Sequence, residues 1–305
     1  MNSIKTIIDN ILTKLKYVGL SNTFKYYYFR ICKIKKLIQI KIDEKRIFIR
    51  TNSPDLNVSI ASLYEEYKDF KGLTKQLLEP NLIVDAGGYI GTSALKFSEM
   101  YPNAKIVTLE PSSENYEILL LNVKNYKNIY PIKSALVSSA NEKIDIRDRS
   151  TGPWGYTVVR KPLDNKNSKI IEKVSTITLS EIVKKFNMNI NVLKLDIEGG
   201  EKDIFDNCQK EIKVIETIIV ELHDRIIPGC RSSFEDSNKD KYIIKLDGEK
   251  FIDGFIHIDL LDMEHIDYQC NIDNLSMFEN DTVSLIYSSH NFEYLVFFLK
   301  TSQCH

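Results

Sequence analysis

Residues 82–97 read LIVDAGGYIGTSALKF. An almost wholly apolar run enters a turn holding Gly87, Gly88 and Gly91 and leaves it as a helical pattern. Glycine is the default residue where a turn must adopt positive φ. A strand this continuous in apolar character is buried on both faces. Such a unit is the first half of a parallel crossover, which confines the chain to an α/β sheet with helices on both faces. The next segments agree. Apolar stretches KIVTLE (105–110), IYPIKSA (129–135), VLKLD (192–196) and TIIVEL (217–222) are separated by helical patterns.

The flanks read differently. Ile4, Ile7, Ile8, Ile11, Leu12 and Leu15 form one helical stripe, Gly19 ends it, and Ser21 caps a second helix through FKYYYFRICKIKK. IQIKIDEKRIFIRT alternates around a charged turn at Asp43–Lys45 and predicts a β-hairpin, followed by a helix over SIASLYEEYKDFKGLTKQLL. Residues 141–178, with Gly152, Pro153, Gly155 and Pro162, read as short strands and an ordered loop. The chain thus divides into a basic helical arm (1–45), a hairpin and helix leading into the core (46–80), the core (81–232) and a C-terminal extension (233–305). The extension completes the sheet or the substrate site, with strand-like FIHIDLL, VSLIYSS and EYLVFFLK.

Residues 1–46 carry eleven Lys/Arg against three acids, although the whole chain has a net charge of −1. The arm therefore has two readings, packing on the main domain or peripheral contact with an anionic membrane surface. Nothing global points to nucleic acid. Five cysteines without CxxC spacing fit unpaired thiols in a reducing compartment. No apolar run approaches the roughly 20 residues that span a bilayer, so a cytoplasmic protein is expected.

Glu110 ends the strand that follows the glycine turn, 19 residues after Gly91, where a carboxylate can take the hydroxyls of a ribose. The ligand is then a nucleoside-containing cofactor. A dinucleotide turn wants G-x-G-x-x-G, but residue 86 is Ala. Asp85 would repel a pyrophosphate and suits the ammonium and sulfonium of S-adenosylmethionine; alternatively it caps the turn. The competing functions are an NAD-linked oxidoreductase on a related core and a non-catalytic module in a glycan assembly complex.

Several motifs occur in one order. VDAGGYIG is similar to D-x-G-A-N-x-G, with Tyr89 where Asn is common. YPNAKIVTLEPSSENYEIL is similar to a strand, E-P and an Asn-bearing helix. TITLSEI has Ser180 where Asp is frequent, LKLDIEGGE matches K-x-D-x-E-G-x-E, and VELHDRIIPGC resembles E-x-H-D followed by Pro-Gly-Cys; RTNSPDLNV lies upstream. Over residues 46–232 the chain resembles the FkbM-type methyltransferases. The resemblance implies a Rossmann-like class I methyltransferase fold with a mostly parallel sheet, seven strands ending in an antiparallel hairpin. It implies S-adenosylmethionine as cofactor and methylation of a hydroxyl, often on surface polysaccharides or secondary metabolites. It carries Asp85, Gly87, Gly91 and Glu110 over as cofactor residues. Gly88, Tyr89 and Pro111 fall in the same segments, and small Ser134 and Ala135 leave room for a flat base.

Candidate catalytic residues are His223, Asp196, Lys194 and Glu198. An alcohol needs a base within reach, and His223 is the first choice because its charge change falls near neutral pH. Asp196 faces either the methionine ammonium or the acceptor hydroxyl. Lys194, set among Val192, Leu193 and Leu195, is expected to form a buried ion pair with Glu201 or Glu221, or to act on the acceptor oxygen. Asp196, Glu198, Glu221 and His223 are ligand types suited to Mg²⁺ or Mn²⁺. Lys194 already supplies positive charge and the spacing fits no defined motif, so no metal is expected. Trp154 either covers the adenine or a sugar, or anchors its loop.

Overall fold

A computed structural model describes residues 2–67, 79–140, 143–165 and 167–238, plus four short strands between Phe255 and Lys300. Helix α1 (Asn2–Ile31) breaks at Gly19 (φ 75°, ψ 169°), so the two helical patterns of the arm meet at a kink. Strands β1 (Leu37–Ile42) and β2 (Lys45–Arg50) pair antiparallel, and β1 buries every second residue, as the alternation predicts. Helix α2 (Asp55–Ile60) runs on into a π-helical turn over Ala61–Glu65. Much of the helix expected after it lies outside the described residues.

The core follows as β3 (Leu82–Ala86), α3 (Thr92–Met100), β4 (Lys105–Leu109), α4 (Ser113–Val123) and β5 (Ile129–Ile132). Then come short β6 (Ala135–Leu136), β7 (Ile144–Asp148), β8 (Lys169–Val174) and β9 (Thr176–Ile177), and α5 (Leu179–Phe186). Strand β10 (Val192–Leu195), helices α6 (Glu201–Asn207) and α7 (Gln209–Val214), strand β11 (Thr217–Val220) and α8 (Cys230–Ser237) complete it. Among the described residues the central sheet has five strands, all parallel, in the order β11-β10-β3-β4-β5. The strands Phe255–Asp259 and Asp267–Asn271 pair with each other, as do Thr282–Val283 and Leu299–Lys300. Both pairs are antiparallel, each a two-stranded sheet of its own and not part of the central sheet; the segments between these strands lie outside the described residues.

Strand residues alternate between two apolar layers. Ile83, Ile106, Val192 and Ile219 pack with the hairpin, α1, α3 and α4. Leu82, Val84, Val107, Leu193 and Ile218 pack with α5 to α8. The arm is tied to the first layer by Val18 and Tyr26, and the hairpin by Asn122 of α4. The Asn122 side chain accepts from Phe48 N (2.7 Å) and donates to Ile90 O (2.8 Å). The opposite face of α1 exposes Leu20, Phe24, Tyr28 and Ile31. No described helix is long and apolar enough to cross a membrane.

The same alternation places Lys194 on the hairpin-side face, in register with Asp85 on the neighbouring strand, which is itself in register with Thr108. Lys194 Nζ lies 3.4 Å from both Asp85 Oδ1 and Asp196 Oδ2 and donates to Gly87 O at 2.8 Å. The other Asp85 oxygen accepts from Ser93 (2.8 Å) and Thr108 (2.9 Å). The expected partners Glu201 and Glu221 are therefore not the ones Lys194 meets: side chains two apart on a strand share a face, and strand order supplies Asp85. Burial pulls the Lys194 ammonium down, but Asp196, Asp85 and Glu66 outweigh it and raise its pKa. Replacing Lys194 with Met strands buried Asp85 without its cation, and denaturant unfolding should register a loss of about 3–5 kcal/mol, partly recovered when Asp85→Asn is added. An unchanged midpoint for Lys194→Met would remove the clamp from the account.

Candidate active site

One residue beyond the Thr108–Asp85–Lys194 row, the strands leave the sheet. By the same alternation Glu110, Asp196 and Glu221 come out on the hairpin-side face, with the Gly87 turn between them. They line one cavity of about 1290 Å³, which exceeds the roughly 300–1,000 Å³ of a drug-sized pocket and has room for two reactants.

The turn brings these residues together. A Cβ on Gly87 would lie 1.8 Å from Asp196 O, and Gly87 (φ +84°) and Gly91 (φ +90°) hold positive φ. The side chain is missing so that the turn can pack on the end of β10. The turn's N–H groups are also spent internally. Gly87 and Gly88 both donate to Leu109 O, and Tyr89 donates to Glu110 Oε2 at 2.9 Å. The turn thus grips the neighbouring strand and Glu110.

Glu110 is nearly buried. Its Oε1 accepts from Ser112 N (2.9 Å) and Asn115 Nδ2 (3.3 Å). Burial pushes its pKa up to about 7 against these donors. A carboxylate has about four lone-pair sites; the three donors named leave one for a ligand. Asn115 also lines the cavity, and its Oδ1 is buried without a hydrogen-bond partner. This end thus presents acceptors that want donors, which the hydroxyls and amine of an adenosyl group supply. Pro111, Ser134, Ala135 and Trp154 also line the cavity, Trp154 being 41 % exposed on a 3₁₀ turn.

The far end is acidic. Asp196, Glu198 and Glu221 reach the cavity beside Lys194. Glu198 holds positive φ (52°) and is gripped by buried Arg149, which also contacts Asp164. Behind them stands His223, 2 % exposed. Its Nδ1 is 3.1 Å from Glu201 Oε1, and Glu201 also accepts from Ile197 N and Gly199 N. Its Nε2 faces Glu221 Oε1 (3.2 Å), Glu198 Oε2 (3.6 Å) and Asp196 Oδ1 (4.0 Å) without forming a hydrogen bond. Burial lowers the imidazole pKa, yet Glu201 and Glu221 carry it well above its usual value. Burial and the Asp196 charge raise Glu221 well above the usual carboxylate range. Burial also raises Asp196, but Lys194 and His223 outweigh it and hold that carboxyl low.

Gly87, Gly88, Tyr89, Glu110, Pro111, Ser134, Ala135, Lys194, Asp196 and Glu198 all line the cavity. Asp85, Gly91 and His223 are not among its lining residues and sit beneath or behind it. The Tyr89 ring, where Asn is common, turns toward the hairpin, with its hydroxyl on Asp55 and its face under Arg50. The sequence reading did not single out Glu66, Asn115 or Arg149. Glu66 reaches the cavity from the upstream helical segment, with its pKa pushed up to about 7 by burial. Asn115 is the Asn of the helix after E-P. Arg149 comes from the irregular loop and had no local signal.

The family model described as "Methyltransferase FkbM domain" matches residues 85–249, more than half of the chain. Methyltransferase sdnD of Sordaria araneosa is 23 % identical over 188 residues, 52 % of this chain and 72 % of that protein. Solved structures align more loosely. Precorrin-6y C5,15-methyltransferase from Geobacter metallireducens GS-15 is 12 % identical over 80 % of this chain and 87 % of its own, with a TM-score of 0.37. An S-adenosylmethionine-dependent O-methyltransferase from Thermotoga maritima is 10 % identical over 88 % and 79 %, with a TM-score of 0.38. On the family match, this chain belongs to the FkbM methyltransferases, α/β enzymes whose methyl donor is S-adenosylmethionine.

Proposed function

We propose that this methyltransferase acts on a hydroxyl of a sugar, glycolipid or related polyhydroxylated acceptor. The observation that carries the reading is the division of one cavity into an end of hydrogen-bond acceptors around Glu110 and an acidic end at Asp196, Glu198 and Glu221. S-adenosylmethionine supplies an electrophilic methyl group. Glu110, with Asn115 beside it, accepts from the nucleoside and sets its position along the cavity. At the other end an alcohol must be aimed and relieved of its proton. Asp196 and Glu221 are two of the carboxylates that reach the cavity there, and a base within reach contributes roughly 10²–10⁴-fold. A carboxylate acceptor would meet like charges there, whereas a neutral polyol donates to each of them.

His223 stands behind these two carboxylates, so its role here is to position them, in place of direct proton abstraction. Lys194 fixes the second oxygen of Asp196. Asp85, which does not reach the cavity, acts through Lys194 and the turn.

The arm supports an acceptor held at a bilayer. Leu20, Phe24, Tyr28 and Ile31 form an exposed apolar stripe, with Lys25, Arg30, Lys33, Lys35 and Lys36 exposed on the same segment. This face fits an anionic lipid surface, apolar side chains entering the headgroup boundary and the cations meeting the lipids.

Two measurements test these readings. Incubated with the methyl donor and a panel of host oligosaccharides and glycolipids, the enzyme should yield a product one methylene heavier. Asp196→Asn should lower its formation at least about tenfold while S-adenosylhomocysteine affinity holds. A modified amine or carboxylate and no modified hydroxyl, or full turnover by Asp196→Asn, contradicts the proposal. For the arm, flotation with phosphatidylglycerol vesicles should capture the wild type and lose most of a Phe24→Glu/Ile31→Glu variant; equal capture of both would leave the arm a packing element alone.

A further inference from the structure

We propose that Asp196, Glu221 and His223 bind a divalent metal ion of the Mg²⁺/Mn²⁺ class at the acidic end of the cavity. One ligand atom from each of the three residues falls within 4.8 Å of the others. His223 Nε2 is 3.2 Å from Glu221 Oε1 and 4.0 Å from Asp196 Oδ1. Ligands held about 2.0–2.2 Å from one ion stand about 3–4 Å apart, and both separations from His223 fall in that range.

Three further observations point to a cation. First, His223 Nε2 is buried, has no hydrogen-bond partner, and is aimed into the carboxylates. A ring nitrogen surrounded by carboxylate oxygens, the nearest 3.2 Å away, is placed to share a cation with them. Second, the other ring nitrogen is fixed by Glu201, itself fully buried and held by two backbone N–H groups. Carboxylate–imidazole–metal is the usual arrangement that sets the tautomer and frees Nε2. Third, the local charge does not balance. Among the described residues, Asp85, Asp164, Asp196, Glu198, Glu201 and Glu221 face only four basic groups, Lys194, Arg149, half-exposed Arg225 and His223 itself. Oxygen donors with one imidazole suit Mg²⁺ or Mn²⁺ better than thiophilic ions.

Asp196 and Glu221 line the cavity while His223 backs it, so open coordination positions face the acceptor. The ion's purpose rests on the hydroxyl-acceptor reading above. There it would take the acceptor oxygen and acidify it, and two adjacent oxygens would chelate. That favours a vicinal diol over an isolated alcohol.

The test is Mn²⁺ titration of the full chain without methyl donor or acceptor, read by electron paramagnetic resonance. One Mn²⁺ per chain should bind with a dissociation constant below about 1 mM, in the weaker range of oxygen-ligand sites. The pulsed spectrum should show coupling to a directly bound imidazole nitrogen. Glu221→Gln should weaken binding at least about tenfold, and Glu44→Gln, on the exposed β1–β2 turn, should not. Absence of a bound ion, binding without nitrogen coupling, or equal affinity in Glu221→Gln overturns the site. The nitrogen coupling is read on the wild type, so a variant that misfolds leaves the test decisive. With neither donor nor acceptor present, failure of the methylation reading does not alter the result.

Discussion

A single buried ammonium organises this active site. Lys194 sits under the glycine turn, pairs with the last charged residue of its neighbour strand and with the acid that ends its own, and donates to the turn's first carbonyl. A cation there costs desolvation, and the two carboxylates and the carbonyl offset it. The turn after β3 and the end of β10 are thereby locked together. Gly87 makes that contact sterically feasible, because any side chain would occupy the place of the Asp196 carbonyl.

Strand periodicity does the rest. Residues two apart share a face, so the row that carries Thr108, Asp85 and Lys194 is followed by one that carries Glu110, Gly87, Asp196 and Glu221. The first row is buried and structural, and the second meets the cavity. Five adjacent strand ends, all pointing the same way, deliver the acceptor-rich and acid ends to one crevice. Helices α1 and α2 and the turn after them close it from the side, with Tyr17, Asn57 and Glu66 among its lining.

Much of this was legible in the sequence. The run LIVDA into three glycines shows the strand, the turn and the helix. Alternation exposes the hairpin, and the spacing to Glu110 picks out an acid that lines the cavity. Strand order was not legible, and it decides which carboxylate stands beside Lys194. The i, i+2 relation to Asp196 was present in LKLD and would have yielded one correct partner. Burial depth was also hidden. In sequence His223 is the first choice as base, yet it stands a layer behind Asp196. Arg149 approaches Glu198 from an irregular segment whose path no local pattern encodes.

The central claim is that one clamp sets two chemically distinct ends of the same cavity. A crystal structure with S-adenosylhomocysteine tests it most directly. A ribose hydroxyl should sit on Glu110, the sulfur should be directed toward Asp196, and Lys194 should still be joined to Asp85 beneath the turn. A nucleoside seated away from Glu110, or a Lys194 ammonium that leaves Asp85 for the ligand, would contradict it.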